Sequence, residues 1–298
     1  MASLREIKRH IASVQSISKI TGAMEVVAEA RIRRLRAREE ATTAFALRSW
    51  QVLNHLAAAA EDEGREDPVF TGYADVSHIG ILLITSGRGL VGAYNENVIS
   101  LAIEFAQSQS AAIEMITVGR TGREAMLRRG YPIHADFASE ERLELHDIAA
   151  VAQVILDGFE QRTFENVVMA YTQFGRGTTL RPTLRQLLPL TPSEMTGRRN
   201  YIYEPQPKRL LDALLPRIIR FQIYHAYLEA VIAENAARRA AMHAATQNAD
   251  DLIAQLHLGY NKARQEHITA ELMDILPLQG RRVGGIAPSG QAWGGSPR

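Results

Sequence analysis

The chain reads as an α/β domain flanked by two long α-helices, the N- and C-terminal helices pairing as an antiparallel coiled coil. Two observations predict this. Apolar residues recur at helical spacing over both ends of the chain, and between them short apolar strands alternate with helices. The 298 residues, 46% apolar and 22% charged, suffice for a buried core and exclude wholesale disorder.

The first helix spans residues 1–60. Its apolar positions Leu4, Ile7, Ile11, Val14, Ile17, Ile20, Met24 and Val27 advance in threes and fours, which places them on one stripe. Ser3 and Glu6 have capping-box spacing. The first proline is Pro68 and the first glycine Gly22; one glycine costs about 1 kcal/mol and need not end a helix. A helix of this length extends about 85 Å, more than a small domain can cover, so it requires a partner helix. Residues 208–276 supply one, through Leu211, Leu214, Leu215, Ile218, Ile219, Tyr224, Tyr227, Leu228, Val231, Leu252, Leu256, Ile268, Leu272 and Ile275. Pro216 is expected to kink this helix or begin its regular part, and Pro277 to stop it. Helices at opposite ends of one chain, with a domain between, pair antiparallel.

Residues 61–76 form an acidic linker and 77–207 the α/β domain. Strands are predicted at His78–Ile84, Ile113–Val118, Val167–Tyr171 and Thr183–Leu190, and helices at Asn95–Gln109, Arg123–Arg129 and His146–Phe159. Residues 191–207, with three prolines, read as a loop. Residues 277–298, rich in Gly and Pro, read as a disordered basic tail.

The net charge of +1 conceals segregation: +5 over residues 1–60, −5 over 61–76, −2 over 77–207, zero over 208–276 and +3 over 277–298. With no cysteine there is no disulfide, thiolate metal site or thiol nucleophile. The longest apolar run, Ile79–Ile84, is far short of a membrane span, and the charged N-terminus has no apolar signal region. The nine histidines lack metal-ligand spacing, and no nucleophile has a base beside it. No catalytic, cofactor or metal residue is expected.

Gly87-Arg88-Gly89-Leu90-Val91-Gly92 is a G-x-G-x-x-G between a strand and a helix, the setting of a dinucleotide-binding turn. The next strand ends in Val118-Gly119-Arg120, where an arginine suits a 2′-phosphate. An NADP-dependent oxidoreductase is therefore one alternative, and a coiled-coil scaffold another. Against the oxidoreductase, no acid–base pair follows and the long helices would have no role.

The segments Lys19-Ile20-Thr21-Gly22-Ala23-Met24-Glu25-Val26-Val27-Ala28, Ala241-Met242-His243-Ala244-Ala245-Thr246-Gln247-Asn248-Ala249 and Tyr260-Asn261-Lys262-Ala263-Arg264-Gln265, followed by Ile268-Thr269 and Glu271-Leu272, are more specific. With Tyr201-Ile202-Tyr203-Glu204-Pro205 they make the chain resemble the gamma subunit family of F-type ATP synthases, from about residue 3 to 276. That family's usual turn reads Ser-Asp-Arg-Gly-Leu-Cys-Gly, so the dinucleotide fingerprint here arises from Gly87 in place of Asp. Glu25 stands where Lys is common, Arg31 for Lys, Ala233 for Ser and Arg239 for Met. The Cys-bearing regulatory insert of photosynthetic relatives is absent.

The resemblance implies a central-stalk rotor: the paired helices inserted in a hexamer of alpha and beta subunits, and a Rossmann-like α/β domain below, against the epsilon subunit and the c-subunit ring. It implies coupling of ion flow to ATP synthesis or hydrolysis at beta-subunit sites, with no catalysis or cofactor in this subunit and no nucleic-acid partner. It also implies a peripheral place on the cytoplasmic face of a bacterial cell membrane, through the complex. Met24, Arg31, Arg264, Gln265 and Thr269 correspond to contacts with the catalytic subunits. Leu272, Met273, Ile275 and Leu276 correspond to the axle end in its bearing, and Tyr201, Tyr203 and Glu204 to the foot near the ring. Arg31, Arg33, Arg34, Arg36 and Arg38 form a basic run that suits either a solvated face or acidic loops of the beta subunits.

Overall fold

The computed structural model describes residues 4–62, 68–139, 145, 147–175, 179–190, 204 and 206–280; within the helices it describes backbone alone at 43–51, 53–54, 56–62, 207–208, 211 and 274–280. The described elements are α1 (Leu4–Asp62), α2 (Pro68–Thr71), β1 (His78–Ile84), α3 (Tyr94–Ser108), β2 (Ala112–Val118), α4 (Arg120–Arg128), β3 (Ile133–Phe137), α5 (Ile148–Glu160), β4 (Asn166–Phe174), β5 (Leu180–Leu188) and α6 (Pro207–Gly280). The chain divides into two compact units, residues 1–20 with 245–298, and residues 21–244.

The second unit is built on a five-stranded sheet of order β3-β2-β1-β4-β5. β1 pairs parallel with β2 and β4, β2 parallel with β3, and β4 antiparallel with β5. The central strand is buried on both faces, as its unbroken apolar run requires, and alternate residues serve different layers. Ile79, Ile81 and Leu83 pack with Val98, Ile99, Ala102 and Met126 of α3 and α4. Leu82 and Ile84 pack with Val151, Ile155 and Phe159 of α5 and Ile219, Ile223 and Tyr227 of α6. The C-terminal helix thus closes one face of the sheet.

β3 is an element the sequence reading did not assign. It is a short edge strand whose exposure alternates, with Pro132 just before it. β5 begins three residues earlier than expected because Pro182 is tolerated on an outermost strand, which needs no donor on its free side. The acidic linker contains the one-turn α2. Pro277 does not stop α6, which runs three residues further; a proline in the last turn removes one hydrogen bond with little helix left to lose. The predicted cap at Ser3 and the tail beyond 280 lie outside the described residues.

In the second unit, α1 and α6 run antiparallel: Glu25 meets His243 and Glu29 meets Arg239, one index rising by four as the other falls by four. Ile32 joins Ile232 and Ala236 on the same seam. In the first unit, Ser18 donates to Asp250 at 2.8 Å. The stripe predicted on α1 is correct at Ile11 and Val14, which are buried, and one residue out of register beyond. Ile17, Ile20 and Val27 are exposed (49%, 60% and 50%). The buried face instead continues through Ser18, Glu25, Ala28, Ile32 and Leu35, the 3.5-residue repeat of paired helices. Two successive steps of three, 14 to 17 to 20, carry the apolar residues off that seam.

Candidate functional site

In the first unit, the seam of α6 passes through Ala249, Ile253, Leu256, Tyr260 and Ala263, all buried or half-buried. From Arg264 to Met273 every side chain is exposed. This stretch carries Arg264, Gln265 and Thr269 together with Ile268, Leu272 and Met273, the last two 58% and 64% exposed. A shallow concavity of about 550 Å³ is lined by Lys262, Gln265, Glu266, Thr269, Ala270 and Met273. Gln265 and Thr269, four residues apart, share a helix face. The Thr269 hydroxyl donates to the Gln265 carbonyl at 2.8 Å, so its remaining capacity toward a partner is as an acceptor. The backbone at Ile275 and Leu276 continues the helix.

In the second unit, Met24 and Arg31 are half-buried on α1. The basic run is not uniformly solvated. Arg33 pairs with Glu29 at 3.6 Å and Arg36 lies 4.6 Å over the Phe174 ring, while Arg34 and Arg38 are exposed. Of the predicted foot, Glu204 is exposed and Tyr201 and Tyr203 lie outside the described residues.

The glycine-rich turn is a structural junction. The Asn95 amide oxygen accepts from the Ser86 backbone N–H at 3.0 Å, and the Ser86 hydroxyl donates to the Arg88 carbonyl at 2.6 Å. Val91 and Tyr94 pack on Ala233 and Ala237 of α6, and the Tyr94 hydroxyl, held well above its usual range by burial, donates to the Ala230 carbonyl at 3.0 Å. The start of α3, where a pyrophosphate would approach a dinucleotide fold, is therefore covered by α6. Gly119 has φ +102°, and a Cβ there would lie 2.3 Å from the Thr85 carbonyl oxygen, so this glycine serves close packing against β1. Arg120 reaches Glu124 on its own helix at 3.7 Å.

Sequence reasoning missed a buried polar group. Glu229 of α6, 5% exposed, accepts from the Tyr171 hydroxyl at 2.9 Å and from the Gln173 amide at 3.2 Å, with His225 3.8 Å away. A glutamate within an apolar helical run was its only sequence signal. Among the described residues no three His, Cys, Asp or Glu cluster as a metal site, and no helix is long and apolar enough to cross a membrane.

A family model described as ATP synthase matches residues 3–277. The ATP synthase gamma chain of Dehalococcoides mccartyi is 38% identical over 279 residues, covering 93% of this chain and 98% of its own. The chain belongs to the ATP synthase gamma chain family. The gamma chain of Hyphomonas neptunium is also 38% identical at the same coverage, and that of Legionella pneumophila 35%. Among solved structures, the fold resembles a chain of the Euglena gracilis mitochondrial ATP synthase OSCP/F1/c-ring assembly. The TM-score is 0.66 at 15% identity, covering 97% of this chain and 99% of that one. A chain of the Tetrahymena thermophila central stalk and c-ring gives 0.61 at 20% identity, covering 76% and 99%.

Glu25 sits 3.1 Å from His243, and Arg239 donates to Glu29 at 2.6 Å, so both residues join α1 to α6. Ala233 is fully buried against Val91 and Tyr94, where a serine hydroxyl would have to find a partner. At Gly87 a side chain would begin 3.3 Å from the Ser139 carbonyl oxygen, and that oxygen would oppose an aspartate.

Proposed function

We propose that the chain is the central-stalk rotor of an ion-driven ATP synthase, turning inside a hexamer of alpha and beta subunits and carrying no catalytic site itself. The supporting observation is the far end of α6. A helical stretch that exposes Ile268, Leu272 and Met273 beside Arg264, Gln265 and Thr269 is marginal alone in water and suits a sleeve of other chains. In this reading Arg264, Gln265, Thr269, Met24 and Arg31 touch the catalytic subunits. Leu272, Met273, Ile275 and Leu276 turn in an apolar bearing, and Tyr201, Tyr203 and Glu204 stand near the c-ring with the epsilon subunit. An asymmetric shaft that contacts each catalytic subunit differently biases open and closed states in turn, and so couples ion flow to synthesis. The rotor is peripheral to the membrane on its cytoplasmic face. The test is co-purification: a tagged chain expressed in its own cell brings down ATPase alpha and beta subunits. Recovery of neither refutes the proposal, as does micromolar NADPH binding by the purified chain.

A further inference from the structure

The antiparallel register of the second unit sets acid against base at Glu25–His243 and Glu29–Arg239. Ten residues further along α1 stands Glu39, and ten residues back along α6 from Arg239 stands Glu229. The same register that makes two complementary rungs therefore makes one of like sign. Glu229 cannot turn away to water: it is 5% exposed, and Tyr171 and Gln173 of β4 donate to its two oxygens. We infer that Glu39, set at the level of Glu229, forms a proton-operated latch: a proton held on Glu39 keeps α1 against α6, and its release to solvent as pH rises loosens α1 at this rung.

The surroundings agree. Burial, and next the Glu229 charge, push the Glu39 carboxyl above its ordinary value, while His225 and Arg36 oppose them and the neighbouring Glu40 adds to them. Burial, then Glu229, likewise raises the Tyr171 phenol against the opposing effect of Arg185, which keeps Tyr171 a neutral donor to the acid. His225 lies 3.8 Å from Glu229 on the same helix. A carboxyl raised in the folded state leaves the contact intact below its unfolded value and weakens it as pH climbs through the folded one. The latch sits where α6 packs on the sheet and meets α1, so it governs how firmly α1 is fastened at the level of the α/β domain.

Hydrogen exchange of the full-length chain tests this directly. Protection of α1 amides around residues 33–42, corrected for intrinsic exchange, should fall severalfold between pH 5 and pH 8 in the wild type and in the neighbouring control Glu40→Gln. The profile should be flat in Glu39→Gln and shallower than wild type in Glu229→Gln, which removes the opposing charge and leaves Glu39 buried. A flat wild-type profile, a fall that survives Glu39→Gln in a folded chain, or one unchanged by Glu229→Gln, overturns the inference. The readout involves no partner subunit and stands apart from the rotor proposal.

Discussion

Reversing the charge at Glu29 should unfasten α1 from α6 in the second unit, and swapping its partner should refasten it only in part. Glu29 bonds Arg239 across the seam at 2.6 Å and Arg33 on its own helix at 3.6 Å, all three side chains being a third exposed or more. Pairs this open contribute about 0.2–1 kcal/mol each, so Glu29→Gln should cost roughly 1 kcal/mol. Glu29→Arg places a cation among Arg33, Arg36 and Arg239 and should cost about twice that, since attractions become repulsions. Adding Arg239→Glu restores the cross-helix pair and leaves the Arg33 and Arg36 repulsions, so the double variant should recover about half of the loss. Urea unfolding of the full chain, followed by helical circular dichroism, reads these as midpoint shifts of a few tenths molar per kcal/mol. The pH dependence has a definite sign. The Arg239 hydrogen bond, despite opposing burial, holds the Glu29 carboxyl below its ordinary value. Its contribution is therefore complete above the unfolded-state value and lost as pH falls through the folded one. Equal midpoints for Glu29→Arg and the double swap, or a Glu29→Gln penalty that grows on acidification, would refute the reasoning.

Three further outcomes are expected. Gly158→Ala should destabilise the α/β domain by about 3 kcal/mol or more in denaturant titration. The new Cβ would lie 2.2 Å from Phe164, whose fully buried ring already rests against Gly80 and cannot retreat; Phe164→Leu added to it should recover part of the loss. Tyr171→Phe should cost about 1–3 kcal/mol in the same titration, because it leaves the buried Glu229 with one fewer donor. In the assembled enzyme, Gln265→Ala should reduce coupled ATP synthesis more than Thr269→Ala, because the threonine hydroxyl already donates to its own helix; equal losses, or none, would count against the assigned contacts.

The layout of helix, α/β domain and helix was legible because its signals are periodic and long. β3 was not, since a five-residue edge strand with alternating exposure behind Gly130-Tyr131-Pro132 reads as a helix stop followed by a loop. The seam of α1 was half legible. Ile17 and Ile20 look like its continuation, whereas the residues on it are Ser18 and Glu25, whose polar partners come from a helix more than two hundred residues away. The exposed end at Arg264, Gln265 and Thr269 was found through a family resemblance rather than through spacing. Its exposure is visible only in the structure, where every side chain from Arg264 to Met273 lies off the seam. The G-x-G-x-x-G was legible as a strand-to-helix turn, but its coverage by α6 depends on contacts between Tyr94 and Ala230 that no local pattern carries.

The rotor proposal meets its most direct test in rotation of the chain itself. Because the sequence has no cysteine, one introduced on the α/β domain gives a unique attachment point for a bead or dye. With the alpha–beta hexamer fixed to a surface, the account predicts that ATP drives the label in one sense of rotation, and that truncating α6 before Arg264 weakens or stops it. ATP hydrolysis by the same complexes with a stationary label would contradict the claim.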